Sequence, residues 1–87
     1  MLKIVGHEER EATTLRLQGD VIGLWVEELR RSCDLAQAAG QAVTVDLTDV
    51  GFVDRDGVAL LHRLEASGVA LENASRFVAE QLKAGIR

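Results

Sequence analysis

Val43–Leu64, VTVDLTDVGFVDRDGVALLHRL, is the stretch from which the fold can be read. Val43, Val45 and Leu47 alternate with Thr44 and Asp46, the period of two that marks a strand with one strongly apolar face. Val50, Phe52 and Val53 carry the apolar character into a turn, which stops at Asp54-Arg55-Asp56-Gly57. Beyond Gly57 the period changes. Val58, Leu61 and Leu64 recur every three residues with Leu60 beside them, the inner face of a helix. A charged tetrad between an apolar strand and an apolar helix belongs at the rim of a sheet, beside a helix N-terminus. That is where α/β proteins place their working residues.

Upstream, Leu2-Lys3-Ile4-Val5 reads as a short edge strand and Gly6–Glu11 as a polar link. Thr13–Gln18 follows as a second strand, with Leu15 and Leu17 facing one way and Arg16 and Gln18 the other. Two strands joined by a short polar link form a hairpin, which Gly19-Asp20 ends. The spacing predicts the longest helix over 22–39, with Val26, Leu29, Cys33 and Ala36 as its apolar stripe. Trp25 flanks that stripe as a packing residue, in a position from which it can also anchor a partner. Gly40 is placed to end the helix in a left-handed cap. Downstream, the second helix runs to about Ala66, Ser67-Gly68 breaks it, and Val69-Ala70-Leu71 forms a fourth strand. Asn73 or Ser75 caps a last helix in which Phe77, Val78 and Leu82 share a side. The order β-β-α-β-α-β-α over residues 1–87 predicts one small α/β domain. Its mixed sheet of about four strands has right-handed crossovers and helices covering it.

The composition narrows the function. The chain has 87 residues, 47% hydrophobic and 28% charged, with Trp25, Phe52 and Phe77 its only aromatics, so a single aliphatic core must serve it. A net charge of −4, with acids spread along the chain, argues against a nucleic-acid partner, which needs a basic stripe. The longest apolar-plus-glycine stretch, Val21–Val26, is far short of the roughly 20 residues that span a bilayer, so no direct membrane insertion is expected. One cysteine, Cys33, and no apolar run after Met1-Leu2-Lys3 point to a reducing cytoplasm. Cys33 lies on an apolar helix face and reads as packing, not as a metal ligand or a reactive thiol.

Four motifs together resemble the STAS domain, shared by bacterial anti-sigma factor antagonists and the cytoplasmic tails of sulfate transporters. Gly19-Asp20 matches the family's Gly-acidic turn, and Val45–Val50 its hydrophobic-Asp-Leu-Ser/Thr-x-Val strand end. Phe52–Val58 matches its Phe-hydrophobic-Asp-Ser-Ser/Thr-Gly-Leu loop, and Gly68–Leu82 its last strand and helix. The family resemblance implies protein–protein recognition. In that family the first hydroxyl residue after the loop Asp accepts phosphate from a partner anti-sigma kinase, and the unphosphorylated form binds the kinase and releases a sigma factor. Here that position is Arg55 and the next is Asp56, with no Ser or Thr between Thr48 and Ser67. Ile22 also stands where many members carry an acid. The resemblance therefore implies a binding module without the usual switch.

The tetrad itself has three readings. One aspartate caps the second helix, an interaction worth roughly 0.5–2 kcal/mol. The remaining charges face a partner. A third reading is enzymatic, because Phe52–Val58 also looks like the first motif of haloacid-dehalogenase-type phosphatases, whose paired acids attack phosphorus and hold Mg²⁺. That mechanism needs a downstream Ser/Thr, a Lys and a pair of metal-binding acids on later strands, but only 30 residues follow Gly57 and their acids, Glu65, Glu72 and Glu80, are isolated. His7 and His62 show no triad spacing.

The expected function is thus non-catalytic. It is that of an anti-sigma factor antagonist-like regulator binding through Asp20, Trp25 and Asp54-Arg55-Asp56-Gly57, with no cofactor and no metal. The partner is an anti-sigma factor or kinase-like ATPase. An alternative is an accessory subunit of an ABC transporter, docked on its ATPase. Nucleotide binding is a further property of some family members, and the free edge at residues 2–5 could pair with another copy in a homodimer.

Overall fold

A computed structural model describes residues 1–85. Its elements are β1 (Lys3–Glu9), β2 (Ala12–Gln18), α1 (Leu24–Ala38), β3 (Ala42–Asp49), α2 (Arg55–Ala66), β4 (Ala70–Glu72) and α3 (Arg76–Ala84). The four strands form one mixed sheet in the order β1-β2-β3-β4. The β1–β2 pair is antiparallel; β2–β3 and β3–β4 are parallel, as the helical crossovers require. The element order is the one the periodicities predict.

Alternation sets the two faces of the sheet. Thr13, Leu15 and Leu17 of β2 and Val43, Val45 and Leu47 of β3 are buried, and they form a core with Leu29 and Cys33 of α1 and Leu60, Leu61 and Leu64 of α2. Val78 of α3 joins them and is fully buried. Arg16, Gln18 and Thr48 lie exposed between these core positions, so the helices cover one face and leave the other to solvent. Gly40 takes φ +80°, the left-handed conformation expected just past α1. Ser75, not Asn73, caps α3, accepting the Val78 N–H at 3.1 Å.

Two boundaries differ from the sequence reading. Gly6–Glu9 are strand residues, so β1 runs on to Glu9 and the hairpin turns at Arg10-Glu11. An edge strand is held by its backbone ladder, and Gly6, His7, Glu8 and Glu9 are all exposed, so no apolar alternation marks them. Helix α1 starts at Leu24 instead of Ile22, because Val21 pairs with Val53 and Gly23 takes φ 55°.

Candidate functional site

The connections leaving β2 and β3 meet at the carboxyl end of the sheet. Gly19 takes φ +120°, and a Cβ there would run into the Met1 carbonyl oxygen, which explains the glycine in the Gly19-Asp20 turn. Val21 then runs parallel to Val53: the Val21 N–H donates to the Phe52 carbonyl at 2.9 Å, and the Asp54 N–H donates to the Val21 carbonyl at 3.1 Å. This short ladder brings the exposed Asp20 beside the tetrad, and its carboxylate lies against Gly51.

Asp54 caps α2. Its Oδ1 accepts the Gly57 N–H at 2.8 Å, and its Oδ2 accepts the Gly23 N–H at 2.9 Å. One carboxylate therefore holds the leading ends of both α1 and α2, where the helix dipoles favour negative charge. This leaves α1 without a side-chain cap of its own. Gly57 is buried, with room for no side chain: a Cβ would meet Val53 Cγ1 at 2.6 Å and the Val21 carbonyl oxygen at 2.7 Å. Arg55 and Asp56 are exposed, and Trp25 is half-buried against the core.

The loop before the tetrad is held from the other side by Gln81 of α3. Its amide donates to the Val53 carbonyl at 2.8 Å and accepts the Val53 N–H at 3.0 Å, as a neighbouring strand would. Between this loop, α2 and α3 lies a groove of 690 Å³ lined by Phe52, Val53, Arg55, Val58 and Ala84 among others. Phe52 and Phe77 stack beside it with ring centroids 6.3 Å apart, and are 42% and 57% exposed. At the end of β3, Asp46 accepts from Thr48 Oγ1 at 2.6 Å, from the Thr48 N–H at 2.9 Å and from Asn73 at 3.2 Å. The hydroxyl bond above all, with the amide bonds and nearby Arg16, holds the Asp46 carboxyl below the usual range. Asp49 does not join that turn; it pairs with Arg16 at 2.9 Å, both side chains being exposed.

Five of the six sequence-selected residues fall on this rim, in different roles, while Trp25 packs against the core from the first turn of α1. Asp54 and Gly57 are inside its framework, while Asp20, Arg55 and Asp56 are at its surface. Sequence reasoning passed over Leu24, 87% exposed at the start of α1. The signal was available: two residues, or about 200° of helix, separate Leu24 from the stripe position Val26. Phe77, read as an inner-face residue, and Phe52, read as carrying the apolar character into the turn, are both exposed. Among the described residues, no three His, Cys, Asp or Glu side chains gather as a metal site. No helix among them is long and apolar enough to cross a membrane.

Comparison with known proteins bears on family and fold. The family model described as "Mlab, STAS domain" matches residues 6–85. The fold is similar to that of the anti-sigma factor antagonist SpoIIAA in its unphosphorylated form, with a TM-score of 0.69 and 22% identity over 95% of this chain and 82% of that one. It is similar to part of a protein named Mglu, with a TM-score of 0.68 and 24% identity over 83% of this chain and 20% of that one. An uncharacterised Shewanella loihica protein with a SpoIIAA-like fold gives a TM-score of 0.60 and 11% identity over 95% of this chain and 75% of that one. No curated protein matches the chain.

Proposed function

The chain belongs to the STAS-domain family, and from that premise we propose that it is a non-catalytic recognition module resembling an anti-sigma factor antagonist. It binds a regulatory protein, an anti-sigma factor or kinase-like ATPase, through the rim of Asp20, Arg55 and Asp56. The observation that carries this reading is the division of labour in the tetrad. Asp54 and Gly57 are used up in fixing the loop, and Arg55 and Asp56 project from it into solvent. A residue held in that way positions its neighbours for a partner. The likeness of fold to SpoIIAA supports the same reading.

Arg55 stands where the family's phosphoacceptor hydroxyl would be, so regulation by phosphate on this loop is absent and any switch resides in the partner. The non-catalytic reading is supported by Asp54, both of whose carboxylate oxygens are engaged by backbone N–H groups that hold the loop. The module works in the bacterial cytoplasm and requires no cofactor.

A second reading, an accessory subunit on the ATPase of an ABC transporter, is favoured by Leu24. It adds an exposed apolar side chain to Trp25 on the first turn of α1, the kind of anchor a protein interface buries. Copurification from the native host tests both readings. The tagged chain is expected to retain a kinase-like ATPase or anti-sigma factor, and the R55E/D56R variant to lose it. Retention of a transporter ATPase, lost in L24D, would select the second reading. A partner held equally well by all three chains would remove the rim from the interface. Mg²⁺-dependent phosphatase turnover abolished by D54N would replace recognition with catalysis.

A further inference from the structure

One lateral edge of the sheet is formed by β1. Among the described residues, strand β1 pairs with β2 alone, in an unbroken register from Lys3 opposite Gln18 to Glu9 opposite Ala12. All of its residues except Ile4 are exposed. A long regular edge offers its free N–H and C=O groups to another strand, and proteins that avoid this use proline, bulges or charge. Residues 3–9 contain no proline and the ladder has no bulge; charge alone remains, with Lys3 at one end and Glu8 and Glu9 at the other.

Those charges oppose most partner strands but suit one. When β1 pairs antiparallel with β1 of a second copy about a two-fold axis at Gly6, Lys3 faces Glu9 of the second copy, and the contact occurs twice. Val5 then faces His7, again twice, on the same solvent side of the sheet. Centring on Val5 sets Lys3 against His7 and leaves Glu9 beyond the pairing, while centring on His7 runs Lys3 into the Arg10-Glu11 turn. Only the Gly6 register keeps the whole of Lys3–Glu9 paired and sets Lys3 against Glu9; Glu8 then faces Ile4 of the second copy.

An independent feature lies over the same axis. A shallow cavity of 440 Å³ between β1 and α1 is lined by Gly6, Glu8, Leu15, Ser32, Leu35 and Ala36 among others. Leu35 is 68% exposed, on the side of α1 away from the apolar stripe. Nothing fills the space above Gly6, where even a Cβ would come no closer than 3.7 Å to Leu15. Pairing at Gly6 brings the two cavities, and with them the exposed Leu35 of each copy, to the same seam, where apolar surface can be removed from water.

We propose that the chain forms a two-fold homodimer through its β1 edges, joining two four-stranded sheets into one of eight strands. None of Asp20, Arg55 and Asp56 lies on β1, so the dimer presents two uncovered rims. Sedimentation equilibrium on the full chain tests this over micromolar to millimolar concentration. The mass is expected to rise from 9.5 kDa toward twice that value. K3E and E9K each place like charges opposite one another and should weaken self-association about tenfold or more. The double variant K3E/E9K should restore it, and an equimolar mixture of the two single variants should associate although neither does alone. L35D should weaken the dimer with an unchanged circular dichroism spectrum. A mass fixed at the monomer value throughout would overturn the proposal. So would a dimer indifferent to K3E, or one that the double variant fails to restore.

Discussion

The carboxylate of Asp54 accepts the backbone N–H of Gly23, 31 residues away in sequence, at 2.9 Å. Through the other oxygen, at 2.8 Å from the Gly57 N–H, the same side chain caps its own helix. The loops after β2 and β3 are thereby locked together at the point where the rim is built, with the Val21–Val53 ladder completing the lock.

Removing this clamp should cost more than an ordinary helix cap. D54A leaves two backbone donors without their acceptor and is expected to destabilise the domain by about 2 kcal/mol. D54N keeps one acceptor oxygen but turns its amide group toward one of the two N–H donors, and should lose about 1 kcal/mol. Urea denaturation of the three proteins gives the order directly; equal stability of D54A and wild type would remove the clamp from the account.

Gly57 should be irreplaceable for a steric reason. In a helix, alanine ordinarily gains about 1 kcal/mol over glycine. At this site the added methyl would stand 2.7 Å from the Val21 carbonyl oxygen and 2.6 Å from Val53 Cγ1. A backbone oxygen cannot rotate away, so overpacking of about 1–3 kcal/mol or more outweighs the propensity gain. G57A is expected to unfold at lower urea than wild type, and a stabilised G57A would contradict the close approach of the two loops.

How far the site can be read from sequence follows from the range of each interaction. The β3–turn–α2 core is legible because burial on one face imposes periods of two and of three to four on Val43–Leu47 and Val58–Leu64. Capping by Asp54 is legible too, since the partner N–H is three residues on. Its bond to Gly23 depends on how two crossovers meet, and no local pattern encodes that. The outer half of β1 is invisible for the opposite reason: neither of its faces is buried deeply enough to select side chains. Gln81 gave no signal, because its two bonds go to the backbone of Val53.

That bidentate amide makes a third prediction. Q81L keeps the size of the side chain but leaves the Val53 N–H and carbonyl unpaired beside a core residue only 1% exposed. The cost should be about 2 kcal/mol, and hydrogen exchange at the Val53 amide should accelerate well beyond the change in global stability. If that amide exchanges as in wild type, α3 does not support the loop.

Cys33 supplies a pH dependence. Burial, with a smaller contribution from the Asp34 charge, pushes its thiol up to about 11, above the ordinary value of 9.0. The unfolded chain therefore releases this proton at lower pH than the folded one. Between pH 9 and 11 the folded state binds more protons, and the stabilisation that Cys33 contributes, fully present below pH 9, is lost as pH rises through that window. The loss should approach about 2 kcal/mol by pH 11. The stability difference between wild type and C33A, measured by urea denaturation from pH 8 to 11, isolates it from every other pH effect, which both proteins share. That difference should shrink with rising pH for a thiol protonated in its packed site, and a constant difference would place Cys33 in contact with water.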